Sequence, residues 1–125
     1  MKVKIDTKEK FNVLTLQEPI LYANMTEDLN QLLLSFLERD KKNIVLKMGE
    51  VNEMHDLAAK SLVNIRQKFY ANNTSFVICE IRSMVKEDLT KLNLLEMMNA
   101  TPTESEAWDI VHLEEIEREL MPPNP

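Results

Sequence analysis

Hydrophobic and polar positions alternate at the start of the chain and then shift to a helical period. Val3 and Ile5 alternate with lysines, and Phe11, Val13 and Thr15 alternate with Asn12, Leu14 and Leu16. A period of two belongs to strands, so these runs predict a hairpin joined around Thr7 to Lys10. Pro19 breaks the pattern and leaves Ile20 to Tyr22 as a short extended piece. Leu29, Leu32, Leu33, Phe36 and Leu37 then recur as one face of a helix. Asn24 followed by Glu27 is a start signal of the capping-box kind, and the helix is expected to end near Glu38-Arg39-Asp40.

The run Asn43 to Met48, with Ile44-Val45-Leu46 at its centre, is apolar without alternation, as in a strand covered on both faces. A second helix is predicted from about Leu57 to Tyr70, with Asp56 at its mouth. Its apolar stripe is Ala59, Leu62, Val63 and Phe69 with the stem of Arg66, flanked by Ala58 and Ile65, and Asn72-Asn73 closes it in place of a glycine. Thr74 to Cys79 reads as another buried strand. Ser83 to Leu92 forms a shorter helix, capped by Ser83 with Val85, Leu89 and Leu92 inward, and Glu96 to Ala100 reads as one more strand. Thr103-Glu104-Ser105-Glu106 is a capping box. The helix it opens is expected to turn Ala107, Ile110, Val111, Leu113, Ile116 and Leu120 inward, against Glu104, Asp109, Glu114, Glu115, Glu117 and Glu119.

Strands alternating with helices after residue 24 predict an α/β fold with at least two parallel βαβ connections. The expectation is one domain over residues 1–120, with a mixed sheet of about four to five strands and about four helices, and a disordered tail over 121–125. A length of 125 residues, 44% hydrophobic, suits one globular unit with its own core.

The formal charge of −6, with no basic cluster, argues against nucleic acid and anionic membranes as partners and for a basic protein surface. No apolar run reaches the length of a membrane span and the N-terminus lacks a signal-peptide core, so a cytoplasmic protein is expected. The lone cysteine, Cys79, reads as a buried thiol with no basic neighbour to activate it. The lone glycine, Gly49, rules out a glycine-rich phosphate loop.

His55-Asp56 is the one adjacent imidazole–carboxylate pair. Neighbours at a loop-to-helix junction point apart, and no serine or cysteine is spaced to complete a triad, so no catalytic residue is expected. His112 reads as a surface or half-buried histidine, and the two histidines and one cysteine lack ligand spacing, so neither metal nor other cofactor is expected. Met54, Met97 and Met98 read as core filler. The glutamate face of the last helix reads as a solvated face, with a docking surface for a basic partner as the alternative. Asp56 has two compatible readings. As an N-cap it would contribute about 1 kcal/mol, and a carboxylate there is also well placed for display to a partner.

These residues and their order resemble the STAS domain of anti-sigma-factor antagonists and sulfate-transporter tails, over about residues 11 to 110. The resemblance is carried by Ile44-Val45-Leu46, Val51-Asn52-Glu53-Met54, the helix after them, Phe76-Val77-Ile78-Cys79-Glu80-Ile81, Val85-Lys86-Glu87-Asp88-Leu89, and Thr101-Pro102-Thr103-Glu104-Ser105-Glu106-Ala107. In that family a Met-Asp-Ser-Ser-Gly-Leu motif holds the phosphorylated serine, its first, at a helix N-terminus. Here Met54 matches the Met, while His55, Asp56, Leu57 and Ala58 stand at the Asp, the two serines and the glycine. The family's Gly-Glu-Leu-Asp falls on Pro19-Ile20-Leu21-Tyr22, without its acids. Asp56 is thus the phosphoacceptor-equivalent with no hydroxyl, and Ser61, the nearest one, reads as structural.

The resemblance implies a non-catalytic bacterial regulatory domain in transcription signalling that binds an anti-sigma factor of the kinase-like ATPase type. Partner contacts would come from Met54, His55, Asp56, Leu57, Lys60 and Asn64. The alternative it implies is a STAS accessory subunit of a membrane lipid ABC transport complex, packed on the transporter's ATPase subunit. A small hydrolase using His55 and Asp56 is a third reading. A monomer or weak homodimer is expected.

Overall fold

The computed structural model describes residues 1–121. The opening alternation forms an antiparallel hairpin of β1 (Val3–Thr7) and β2 (Asn12–Leu16), in register from Val3 opposite Leu16 to Thr7 opposite Asn12. β3 (Ile20–Leu21) follows Pro19, and a tight 3-10 turn at Ala23–Met25 leads into α1 (Thr26–Leu34), prolonged by a 3-10 turn at Ser35–Glu38. Then come β4 (Ile44–Lys47), β5 (Glu53–Met54), α2 (Asp56–Ala71), β6 (Phe76–Cys79), α3 (Ser83–Lys91), α4 (Leu95–Met98) and α5 (Glu104–Leu120). The main sheet has the order β1-β2-β4-β6, with β4 parallel to both β2 and β6, and β3 and β5 form a separate parallel pair.

The two faces of the main sheet are covered unequally. Leu14, Leu16, Ile44, Leu46, Phe76 and Ile78 pack beneath α1, α2 and α3 through Leu29, Leu33, Leu62, Phe69, Val85 and Leu89. On the other face Phe11, Val13, Val45, Val77 and Cys79 meet, among the described residues, α5 alone, through Ala107 and Val111 with Trp108 and Ile110 at the margin. β4 and β6 are apolar on both faces because both are covered. Each large side chain buried in these layers contributes about 1.5–3 kcal/mol over leaving it in water.

A polar cluster fixes the far half of α5. Asn43 donates from Nδ2 to Lys10 O at 3.1 Å and to Glu115 Oε1 at 2.7 Å, and its Oδ1 accepts from Ser75 N at 2.8 Å. Arg118 donates to Ser75 Oγ at 2.8 Å and pairs with Glu115 at 2.9 Å. Burial pushes the Glu115 carboxyl up, but hydrogen bonds from Arg118 and Asn43 outweigh it and hold it below the ordinary value.

The α/β class, the hairpin, the two parallel crossovers and the Thr103 cap stand as predicted, with Thr103 Oγ1 accepting from Glu106 N at 3.2 Å. Other expectations are corrected. The segment Glu96 to Ala100 is not a strand: residues 95–98 wind into α4 between two left-handed asparagines, Asn93 (φ 58) and Asn99 (φ 46), and only Thr101 reaches the sheet, bridging to Cys79. Among the described residues there are accordingly five α-helices rather than four. Asn24 caps nothing, because the 3-10 turn absorbs it and Met25 takes the cap position of α1. Arg82, not Ser83, occupies the cap of α3. Leu113, Ile116 and Leu120 do not point inward: Ala107, Val111, Glu115 and Arg118 set the rotation of α5, and those three lie exposed on its other side. The tail expected at 121–125 lies, apart from Met121, outside the described residues.

Candidate functional site

The mouth of α2 is held by the small parallel pair. β3 and β5 align Ile20 with Glu53 and Leu21 with Met54, and Asn52 N and Glu53 N both donate to Pro19 O, at 2.7 and 3.1 Å. His55 N donates to Leu21 O at 2.9 Å, so the chain enters the helix in an imposed direction. On the neighbouring loops, Arg82 Nε donates to Gly49 O at 2.6 Å, and Glu80 adopts a left-handed backbone (φ 62) that L side chains rarely take.

The structure makes His55, not Asp56, the N-cap of α2, with extended backbone (φ −74, ψ 153) and no side-chain cap bond. Asp56 is the first helical residue, and its carboxylate stands exposed beside the helix's free N–H groups. That choice of cap frees Asp56 from a structural bond. Lys60 and Asn64 follow at intervals of four, so the three share one exposed stripe along α2. Leu57, 59% exposed, is a large apolar residue displayed to solvent. Met54, by contrast, is 4% exposed and lies in the core beneath the loop, at the floor of the cleft beside it, where it supports the surface.

His55 and Asp56 do not form a working pair. The imidazole lies edge-on to Tyr22, with ring centroids 5.1 Å apart, and its Nε2 is 3.9 Å from Glu53 Oε1. Ser61 is buried and its Oγ donates to Asn30 Oδ1 at 2.6 Å, tying α2 to α1. Burial, with the charges of Glu80 and Glu104 adding to it, pushes the Cys79 thiol up to about 12, which keeps it protonated and unreactive.

A cleft of about 500 Å³ opens beside the mouth of α2, between it and the end of α3. It brings Glu53, His55, Asp56 and Leu57 together with Ala23, Asp88, Lys91 and Leu92. The residues from the 3-10 turn and from α3 carry no local signal of this, because the β3–β5 pairing brings the turn near Asp56 and the packing of β5 against α3 brings the helix. Carboxylates outnumber cations on this rim: Glu53, Asp56 and Asp88 face Lys91. Among the described residues no group of three or more His, Cys, Asp or Glu side chains is arranged to hold a metal, and no helix is long and apolar enough to cross a membrane.

Comparison with known proteins places this geometry. The STAS domain family model matches residues 2–107. No curated protein sequence matches the chain. Among solved structures, a candidate anti-sigma factor antagonist from Thermotoga maritima is similar with a TM-score of 0.74 at 19% identity, covering 88% of this chain and 94% of that one. An RsbS variant from Moorella thermoacetica, with glutamate in place of a serine, aligns with a TM-score of 0.72 at 18% identity, over 90% of this chain and 96% of that one. The anti-sigma factor antagonist SpoIIAA in its unphosphorylated form gives a TM-score of 0.69 at 14% identity, over 89% and 96%. With the family model spanning most of its length and its fold that of anti-sigma-factor antagonists, the chain belongs to the STAS domain family.

Proposed function

We propose that this chain is a non-catalytic recognition domain that binds an anti-sigma factor of the kinase-like ATPase class through the mouth of α2. Asp56 then stands where the family carries its phosphoacceptor serine. The observation that carries the reading is the exposed surface at that point: Leu57, 59% exposed, next to a stripe of Asp56, Lys60 and Asn64 whose side chains the fold does not need for packing. His55 completes the rim and Met54 holds it from below.

The same surface supports a partner interaction without a phosphoswitch. Asp56 presents about one negative charge, where a phosphoserine carries nearly two and three acceptor oxygens. Ser61 is buried and already bonded to Asn30, which puts it out of a kinase's reach. The His55 ring lies against Tyr22, and among the described residues no hydrogen bond joins it to Asp56 or to a serine or cysteine, which argues against the hydrolase reading.

Affinity purification from the native host, followed by mass spectrometry, tests the proposal. The wild-type chain is expected to retain a kinase-like or sigma-related protein, and a chain carrying Asp56→Arg and Leu57→Ser to lose it. Recovery of a transporter ATPase subunit instead, or retention of the same partner by the double variant, overturns the proposal.

A further inference from the structure

The outer side of α5 is a second surface, on the opposite side of the main sheet from α2. Leu113, Ile116 and Leu120 are 58, 51 and 78% exposed. Their spacing of three and then four residues puts them on one line along the helix. Single exposed apolar residues are ordinary on any surface, but three in register on a helix form a seam. The seam is also rigid. Tyr70 Oη donates to Glu114 Oε1 at 2.7 Å, and Arg118 is tied to Ser75 and Glu115, so the inward side of α5 is locked while, among the described residues, nothing packs on the outward side.

The charges around the seam decide what fits it. The exposed acidic residues of α5 are Glu106, Asp109, Glu117 and Glu119, and no exposed Lys or Arg accompanies them; Arg118 is turned inward. A second copy of the chain would set these carboxylates against their own counterparts, and an anionic lipid surface would be repelled in the same way. A partner that matches both features carries an apolar stripe flanked by lysine or arginine. We propose that the outer face of α5 docks a basic amphipathic helix of a partner protein, independently of the mouth of α2.

The probe is a synthetic amphipathic helix of leucines and lysines, titrated into the full chain and followed by fluorescence anisotropy and amide chemical shifts. Shifts are expected along residues 105–120. Affinity is expected to fall about tenfold in L113S/I116S/L120S, and to weaken in E106Q/D109N/E117Q/E119Q, with the melting temperature of both variants close to wild type. Shifts confined to the mouth of α2 would overturn the proposal, as would unchanged affinity in both variants. Self-association of the free chain, or its binding to phosphatidylglycerol vesicles, abolished by the serine variant would reassign the seam to a second copy or a membrane and overturn it equally.

Discussion

Replacing Asn43 with alanine should cost the fold about 3 kcal/mol, although the residue is small, polar and at the edge of a strand. The magnitude follows from what is left behind. Ser75 is fully buried, and its N–H donates only 2.8 Å to Asn43 Oδ1; orphaning a buried donor costs about 1–3 kcal/mol. The amide nitrogen serves Glu115 at 2.7 Å and Lys10 O at 3.1 Å, and both acceptors reach water, so their loss adds about 1–2 kcal/mol. Urea unfolding followed by far-ultraviolet circular dichroism and Trp108 fluorescence measures the sum. The pH dependence gives a second reading. Glu115 has its folded pKa depressed by Arg118 and Asn43 against the opposing effect of burial. Its contribution is present above the unfolded value and is lost as pH falls through the lower, folded one. Without Asn43 that depression is smaller, so the stability gap between wild type and variant should narrow in acid. A loss under about 1 kcal/mol, or a gap that stays constant from neutral pH into acid, would refute the assignment of this cluster as the anchor of α5.

Asp56→Ala should change stability by less than about 1 kcal/mol, since the carboxylate caps nothing, yet abolish partner recovery; a larger loss of stability in urea would return Asp56 to a structural role. Cys79 should resist a thiol reagent at mildly alkaline pH in the native chain and react at once in denaturant, because burial holds its thiol near 12; rapid labelling of the native protein contradicts the core placement. Burial and the Glu114 bond push the Tyr70 phenol up to about 12, so the folded state keeps its proton longer than the unfolded chain does. Stability should therefore be complete below about pH 10 and fall as pH rises beyond it, and Tyr70→Phe should flatten that part of the profile.

What could be read from the sequence follows the strength of the local signal. The hairpin and the two parallel crossovers were legible because alternation, continuous apolar runs and helical spacing each recur over several residues. Residues 95–98 were not, since a short apolar run has no period to read; the flanking Asn93 and Asn99, both left-handed, were the available sign of a one-turn helix. In α5 two apolar stripes compete, and the smaller residues won the core. Ala107 lets the helix lie close to Phe11 and Val77, and the polar anchors Glu115 and Arg118 then fix its rotation. At the site, residues 54–57 were legible as the entry to α2, because the apolar run before them and the helical spacing after them bracket the turn. The exchange of cap from Asp56 to His55 depends on the β3–β5 pairing, which joins residues more than thirty positions apart.

The unequal covering of the sheet bears on where the chain can be cut. Three helices share one face, but Phe11, Val13, Val45 and Val77 rely on α5 alone. A truncation at residue 107, where the family match ends, would keep Ala107 yet discard Val111 and the anchors at Glu115 and Arg118. Half of the sheet would then be laid bare as an aggregation-prone surface. For this protein the smallest soluble fragment has to run through Arg118, the last anchor of α5, beyond the boundary that family membership suggests.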